Sequence, residues 1–169
     1  MRAFLALLLL CAATPSLAAD ILIKGARVHT LGPAGTLQSG DVLIRDGRIA
    51  AVGATVPAPR GAEVIDAASM VVTPGLFAAH TQLGLREIDA VDETADEASK
   101  DKRFSASLDV VDGLNPRVAT ITVSRVEGVT RAVAAPMAGE NAALLAGFGA
   151  VINLGSIDRF VTRSRAAMY

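Results

Sequence analysis

His80 and Gln82 stand two residues apart in the mostly apolar stretch Leu76–Gly84. In an extended chain, positions i and i+2 share a face, so the pair would aim an imidazole and an amide oxygen at one place. That is how a strand supplies two neighbouring ligands to a metal ion. Imidazole is a good zinc ligand, whereas a neutral amide oxygen is poorer than imidazole or carboxylate. His80 is therefore a candidate metal ligand and Gln82 a candidate site-lining residue. A lone His in an apolar strand is also common as a hydrogen-bonded core residue, and the residues by themselves leave that alternative open. His29, far off in sequence, reads as structural. No residue is assigned as catalytic. The serines lack a Gly-x-Ser-x-Gly context, and the glycines do not lead into the Lys-Ser or Lys-Thr of a phosphate loop. Asp89, Asp92, Glu93, Asp96 and Glu97 lie in a charge run, where neighbouring carboxylates are commonplace.

The elements that must position His80 read as follows. Ile21–His29 is extended in character, and Val42–Arg45 faces Arg48–Val52 across Asp46-Gly47, a two-residue hairpin signal because both residues tolerate positive φ. Glu63–Asp66 and Met70–Thr73 are two more short strand candidates, giving a small β layer. After Pro74-Gly75, Leu76–Gly84 is apolar on both alternating faces, as expected of a buried parallel strand. Its polar groups cluster at the C-terminal end, where parallel α/β architectures bind ligands. Arg86–Arg103 carries seven acidic and four basic residues and reads as a solvated loop or exposed helix. Asn115-Pro116 places a cap before a first-turn proline, with Gly128 as helix stop. Val129–Ala135 and Ala150–Leu154 read as strands, Ala142–Ala146 as a short helix, and Ile157–Tyr169 as a basic amphipathic stub. Strand, helix, strand after Pro74 predicts parallel βαβ packing.

The first residues are expected to leave the fold. Met1-Arg2 is a basic start, Ala3–Ala13 an apolar run, and Ser16-Leu17-Ala18 offers small residues at the −3 and −1 positions of a cleavage site. Residues 1–18 thus read as a signal peptide, cleaved near Ala18, with a periplasmic or secreted product. The run is shorter than the roughly 20 residues that span a bilayer, so no permanent membrane anchor is expected. Cleavage would also remove Cys11, the one cysteine. A net charge of −1 and 4% aromatic residues give no footprint for nucleic acid.

From Met70 to Gly84 the sequence resembles a known family. Val71-Val72-Thr73-Pro74-Gly75-Leu76-Phe77-Ala78-Ala79-His80-Thr81-Gln82-Leu83-Gly84 is similar to the first barrel strand of the metal-dependent amidohydrolase superfamily, apolar-x-Pro-Gly-Leu-x-x-x-His-x-His-x-x-Gly. Ile21–Val28, Gly40–Gly53 and Ile65-Asp66-Ala67 resemble its N-terminal β segment. The likeness covers roughly Ile21 to Leu154 and is strongest to secreted, imidazolonepropionase-like members. It implies an α/β fold: a small β-sandwich segment over residues 19–73, then the first two or three βα units of a (β/α)8 TIM-like barrel over residues 74–169. It further implies one or two divalent metals, zinc foremost, that activate water to hydrolyse a non-peptide C–N bond, often in a cyclic amide, of a small-molecule substrate.

Two departures shape what carries over. Gln82 stands where the second His of the pair would be, so only His80 transfers as a metal ligand. Pro74–Tyr169 is 96 residues, against about 250 for a closed barrel, and no His follows His80. The chain is therefore expected to be a fragment without a complete site. The alternatives are a non-catalytic module that docks a separate chain carrying the rest of a barrel, and a degenerate product.

Overall fold

The computed structural model describes residues 19–88, 91–99, 101, 103–139 and 144–169. The signal-peptide expectation for residues 1–18 lies outside them. The chain divides into two compact units, Met1–Pro74 and Gly75–Tyr169.

The first unit is a five-stranded sheet. Its strands are β1 (Ile21–His29), β2 (Thr36–Arg45), β3 (Arg48–Gly53), β4 (Glu63–Asp66) and β5 (Val71–Val72). The order is β3-β2-β1-β4, with β5 continuing along the β4 side of β1. Asp46 (φ 50°) and Gly47 (φ 69°) close the β2–β3 hairpin with two positive φ angles, the turn whose twist matches paired strands. Along β1, Leu22, Ala26 and Val28 are buried and Lys24 is exposed. The interruption is a bulge at Gly25, whose φ of 75° breaks the register between Ile23 and Ala26. The bulge leaves the Gly25 N–H outside the ladder, and the buried Asp41 carboxylate takes it at 2.9 Å. The other Asp41 oxygen accepts from Val56 N at 2.9 Å. Ala26, Val28, Val42 and Ala67 form the small core.

The second unit is a four-stranded sheet in the order β6-β7-β8-β9: β6 (Leu76–Thr81), β7 (Val129–Ala134), β8 (Phe148–Asn153) and β9 (Val161–Met168). β6 and β7 are parallel, joined through helix α1 (Ala119–Val126), so one strand–helix–strand unit forms as expected. The next strands do not extend it. β8 is antiparallel to β7 and β9 antiparallel to β8, which corrects the expectation of two or three βα units. A parallel return needs a long crossover, usually helical; among the described residues of the link between β7 and β8 none is helical, and β8 pairs antiparallel with β7. The expected helix at Ala142–Ala146 is therefore absent over its described part. Ile157–Tyr169 is not a stub: it contains β9, whose pairing with β8 gives its backbone partners.

β6 also differs from its expectation. It ends at Thr81, lies at the edge of the sheet, and leaves Leu76 and Phe77 60% and 52% exposed. A strand apolar on both faces needs cover on both faces to be buried, and α1 packs mainly over β7. Helix α1 starts later than Asn115-Pro116 suggests. Asn115 Oδ1 accepts from Arg117 N at 3.0 Å, an Asx turn that competes with a cap, and Val118 holds the cap position. Gly128 does stop the helix, at φ 94°. Leu85, Val110, Val118, Ile121, Ala132, Ala134, Ala150, Ile152, Leu154 and Phe160 make the core. Among the described residues, no helix is long and apolar enough to cross a membrane.

Candidate functional site

Thr81 closes β6 and its carbonyl accepts from Ala135 N at 2.9 Å, just past the end of β7. The two parallel strands therefore finish side by side. Beyond Thr81 the chain turns sharply: Leu83 N donates to Thr81 Oγ1 at 3.1 Å, and Leu85 N to the Gln82 carbonyl at 2.9 Å. Gly84 completes the turn at φ 84°; a Cβ there would stand 3.0 Å from Leu114 Cδ2. Its carbonyl accepts from Asn115 N at 2.8 Å. The glycine at the end of the strand motif is thus required by the backbone, for its left-handed φ and for the close approach of the segment that leads into α1.

Because the strand stops at Thr81, the period of two does not run through Gln82. Gln82 lines a cleft of about 230 Å³ with Thr81, Leu83, Arg86, Glu87 and Thr120. His80 is not part of that lining. Its exposed ring meets the Tyr169 ring edge-on, centroids 5.4 Å apart at 66°. Tyr169 in turn packs over Gly149, where a Cβ would come within 2.7 Å of its Cε2. The two residues expected to converge occupy different surroundings. His29, read as structural, has its Nδ1 3.0 Å from Thr36 Oγ1 across β1 and β2.

The charge run is not simply solvated. Asp96 N donates to the Leu85 carbonyl at 2.8 Å and Met137 N to the Glu97 carbonyl at 2.7 Å, so the run folds back over the segments that follow β6 and β7. Glu97, with a side chain only 5% exposed, is ion-paired through Oε1 to Arg86. Its Oε2 has no hydrogen-bond partner among the described residues. A buried carboxylate needs such a countercharge, and Arg86 brings that pair to the wall of the cleft. Asn115 Nδ2 donates to Glu87 Oε1 on the same wall. Sequence reasoning missed Arg86, Glu97 and Tyr169. A buried Glu in a charged run and a ring brought in from 89 positions away leave no local signal.

Among the described residues no three or more of His, Cys, Asp and Glu gather to hold a metal ion. A protein zinc site takes at least three such donors. The donors among the described residues do not by themselves fit that group. The cleft offers an amide, two hydroxyls, a guanidinium and a carboxylate, which can bind and orient a small polar molecule by hydrogen bonds.

No protein-family model matches the chain. Over 65 residues it is 43% identical to a dihydroorotase of Geobacter sulfurreducens, covering 38% of this chain and 15% of that protein. Over 68 residues it is 44% identical to a 5'-deoxyadenosine deaminase of Methanosarcina acetivorans, covering 40% of this chain and 16% of that protein. The solved structure of an amidohydrolase from Thermotoga maritima superposes with a TM-score of 0.74 at 28% identity, over 88% of this chain and 38% of that one. The matched segments thus span about a sixth of the curated relatives and under two-fifths of the solved one. Two kinds of sequence relative and one solved structure converge on similarity to the amidohydrolase superfamily.

Proposed function

We propose that this chain supplies the N-terminal part of a hydrolase that cleaves a non-peptide C–N bond, of the cyclic-amide type, in a small molecule. The observation that carries this reading is the superposition on an amidohydrolase over 88% of the chain. The Pro74-Gly75-Leu76 start of β6, the His80 near its end and the turn at Gly84 support it, as does the resemblance to imidazolonepropionase-like members. The basic, apolar and small-residue order of residues 1–18 supports an exported enzyme. In such a protein His80 would be one imidazole of a metal site that needs donors beyond those described in this chain, and Gln82 would line the substrate cleft beside Arg86 and Glu87.

The test begins with the reading frame across and beyond the codon for Tyr169. The protein encoded by the uninterrupted frame is then purified, its metal content measured, and hydrolysis of cyclic amides assayed. Stoichiometric zinc that falls in His80→Ala, with turnover lowered about a hundredfold, is the expected result. Turnover and metal content both indifferent to His80 would overturn the reading. A second reading, docking of a separate polypeptide that carries further strands, is favoured by the free edge of β6 and its exposed Leu76 and Phe77. Co-expression with the remaining barrel as a second chain, followed by co-purification, separates it from the first. Failure to co-purify would dispose of it.

A further inference from the structure

A second groove, sharing no lining residue with the cleft at Gln82, runs between α1 and the turn that joins β8 to β9, and holds about 700 Å³. One wall is formed by Ile121 and Arg125, four residues apart on one side of α1, and by Arg117, which lies just before the Val118 cap. The other wall is the turn after Asn153. Asn153 pairs with Arg131 in the first half of β7, so this turn sits at the end of the sheet away from Thr81. The floor is apolar, formed by the buried Ile121, Leu154 and Phe160.

Two features of the walls point to an anion. Neither Arg117 nor Arg125 has a carboxylate partner among the described residues; Arg125 Nη1 only approaches the Leu154 carbonyl, at 3.5 Å. The backbone of the turn gives the second. Gly155 N donates to Asn153 Oδ1, Arg159 N to Ser156 Oγ and Phe160 N to the Ile157 carbonyl. The three N–H groups between them, of Ser156, Ile157 and Asp158, meet no protein acceptor among the described residues. Successive unpaired backbone N–H groups make an anion-binding concavity, and guanidinium groups suit oxyanions by their paired donors. Against them stands one carboxylate, that of Asp158.

We propose that this groove binds an organic anion, its phosphate or carboxylate head held by the Ser156–Asp158 amides and the two arginines. Its apolar body lies on Ile121, Leu154 and Phe160. The site is independent of the C–N hydrolysis proposed above and needs no metal.

Amide spectra of the ¹⁵N-labelled protein, titrated with phenyl phosphate, benzoate and inorganic phosphate, test it. Phenyl phosphate or benzoate should shift the Ser156, Ile157 and Asp158 amides and bind about tenfold more tightly than inorganic phosphate, because the ring covers the apolar floor. Whichever of the two binds more tightly names the head group. Arg117→Gln and Arg125→Gln should each weaken binding about tenfold, and Asp158→Asn should strengthen it. Shifts confined to other regions, or affinities unchanged in both arginine variants, would overturn the proposal. The Asp158→Asn arm keeps the test decisive if an arginine variant folds poorly, since loss of a surface carboxylate that strengthens binding has no structural explanation.

Discussion

Replacing Asp41 by Asn changes no volume and yet should unsettle the whole first unit. The carboxylate is 4% exposed and spends its two oxygens on different donors, Oδ1 on Gly25 N and Oδ2 on Val56 N, each at 2.9 Å. An amide has one oxygen and one NH2, so Asn can accept from one of these N–H groups and must point a donor at the other. A hydrogen bond to a charged group contributes about 1.5–3 kcal/mol, and a buried donor left unmade costs a similar amount. Asp41→Asn should therefore lose about 2 kcal/mol, and Asp41→Ala about 3 kcal/mol, once partial rescue by water at these half-buried amides is counted. Urea unfolding gives the total, and hydrogen exchange at Gly25 and Val56 localises it: one of the two amides should exchange faster in Asp41→Asn, both in Asp41→Ala. The pH dependence provides an independent check. The Val56 and Gly25 N–H groups hold the Asp41 carboxyl below its ordinary range, outweighing burial. A lowered folded-state pKa means that the unfolded chain takes up the proton first. The contribution is thus fully present above about pH 3.9 and is lost as pH falls through the lower folded value. Stability of Asp41→Asn should lack that acid limb. An Asn variant within 0.5 kcal/mol of the parent, with an unchanged acid limb, would refute the reasoning.

Other expectations follow from single contacts. Gly47→Val, at φ 69° in the β2–β3 turn, should destabilise the hairpin by about 1–2 kcal/mol in denaturant titrations. Arg86→Met leaves the Glu97 carboxylate buried without the partner on its Oε1, and should cost about 3 kcal/mol or more, read as a lower urea midpoint; Glu97→Gln should cost less. Tyr169 is the one tyrosine of a chain without tryptophan, so its fluorescence reports its contacts. His80→Ala removes the ring at its edge and should raise its quenching by acrylamide, whereas Asp66→Asn in the first unit should not.

The residues announced some of this architecture because the signals were local. The Asp46-Gly47 turn is written in two residues that accept positive φ, and the stop at Gly128 is likewise written in a glycine; the turn at Gly84 was instead read as the end of a strand. The motif from Pro74 to Gly84 likewise marked the strand end where the cleft forms. Gln82 was read as part of that strand, on one face with His80; it lies one residue past the strand's end, in the lining of the cleft.

Pairing direction was not legible. Nothing in Phe148–Asn153 or Val161–Met168 says whether a strand runs with or against β7; that depends on how the chain between them returns, and here it returns antiparallel. The convergence of His80 and Gln82 depended on where extension stops, and hydrogen bonds of Leu83 and Leu85 end it one residue before Gln82. The Arg86–Glu97 pair, the Tyr169 ring on His80 and the groove between α1 and the β8–β9 turn each join residues distant in sequence. Local sequence determines turns, caps and strand character because those energies arise within a few residues. Which charge becomes buried, which ring covers which, and where a cleft opens are decided only when separate segments are packed together.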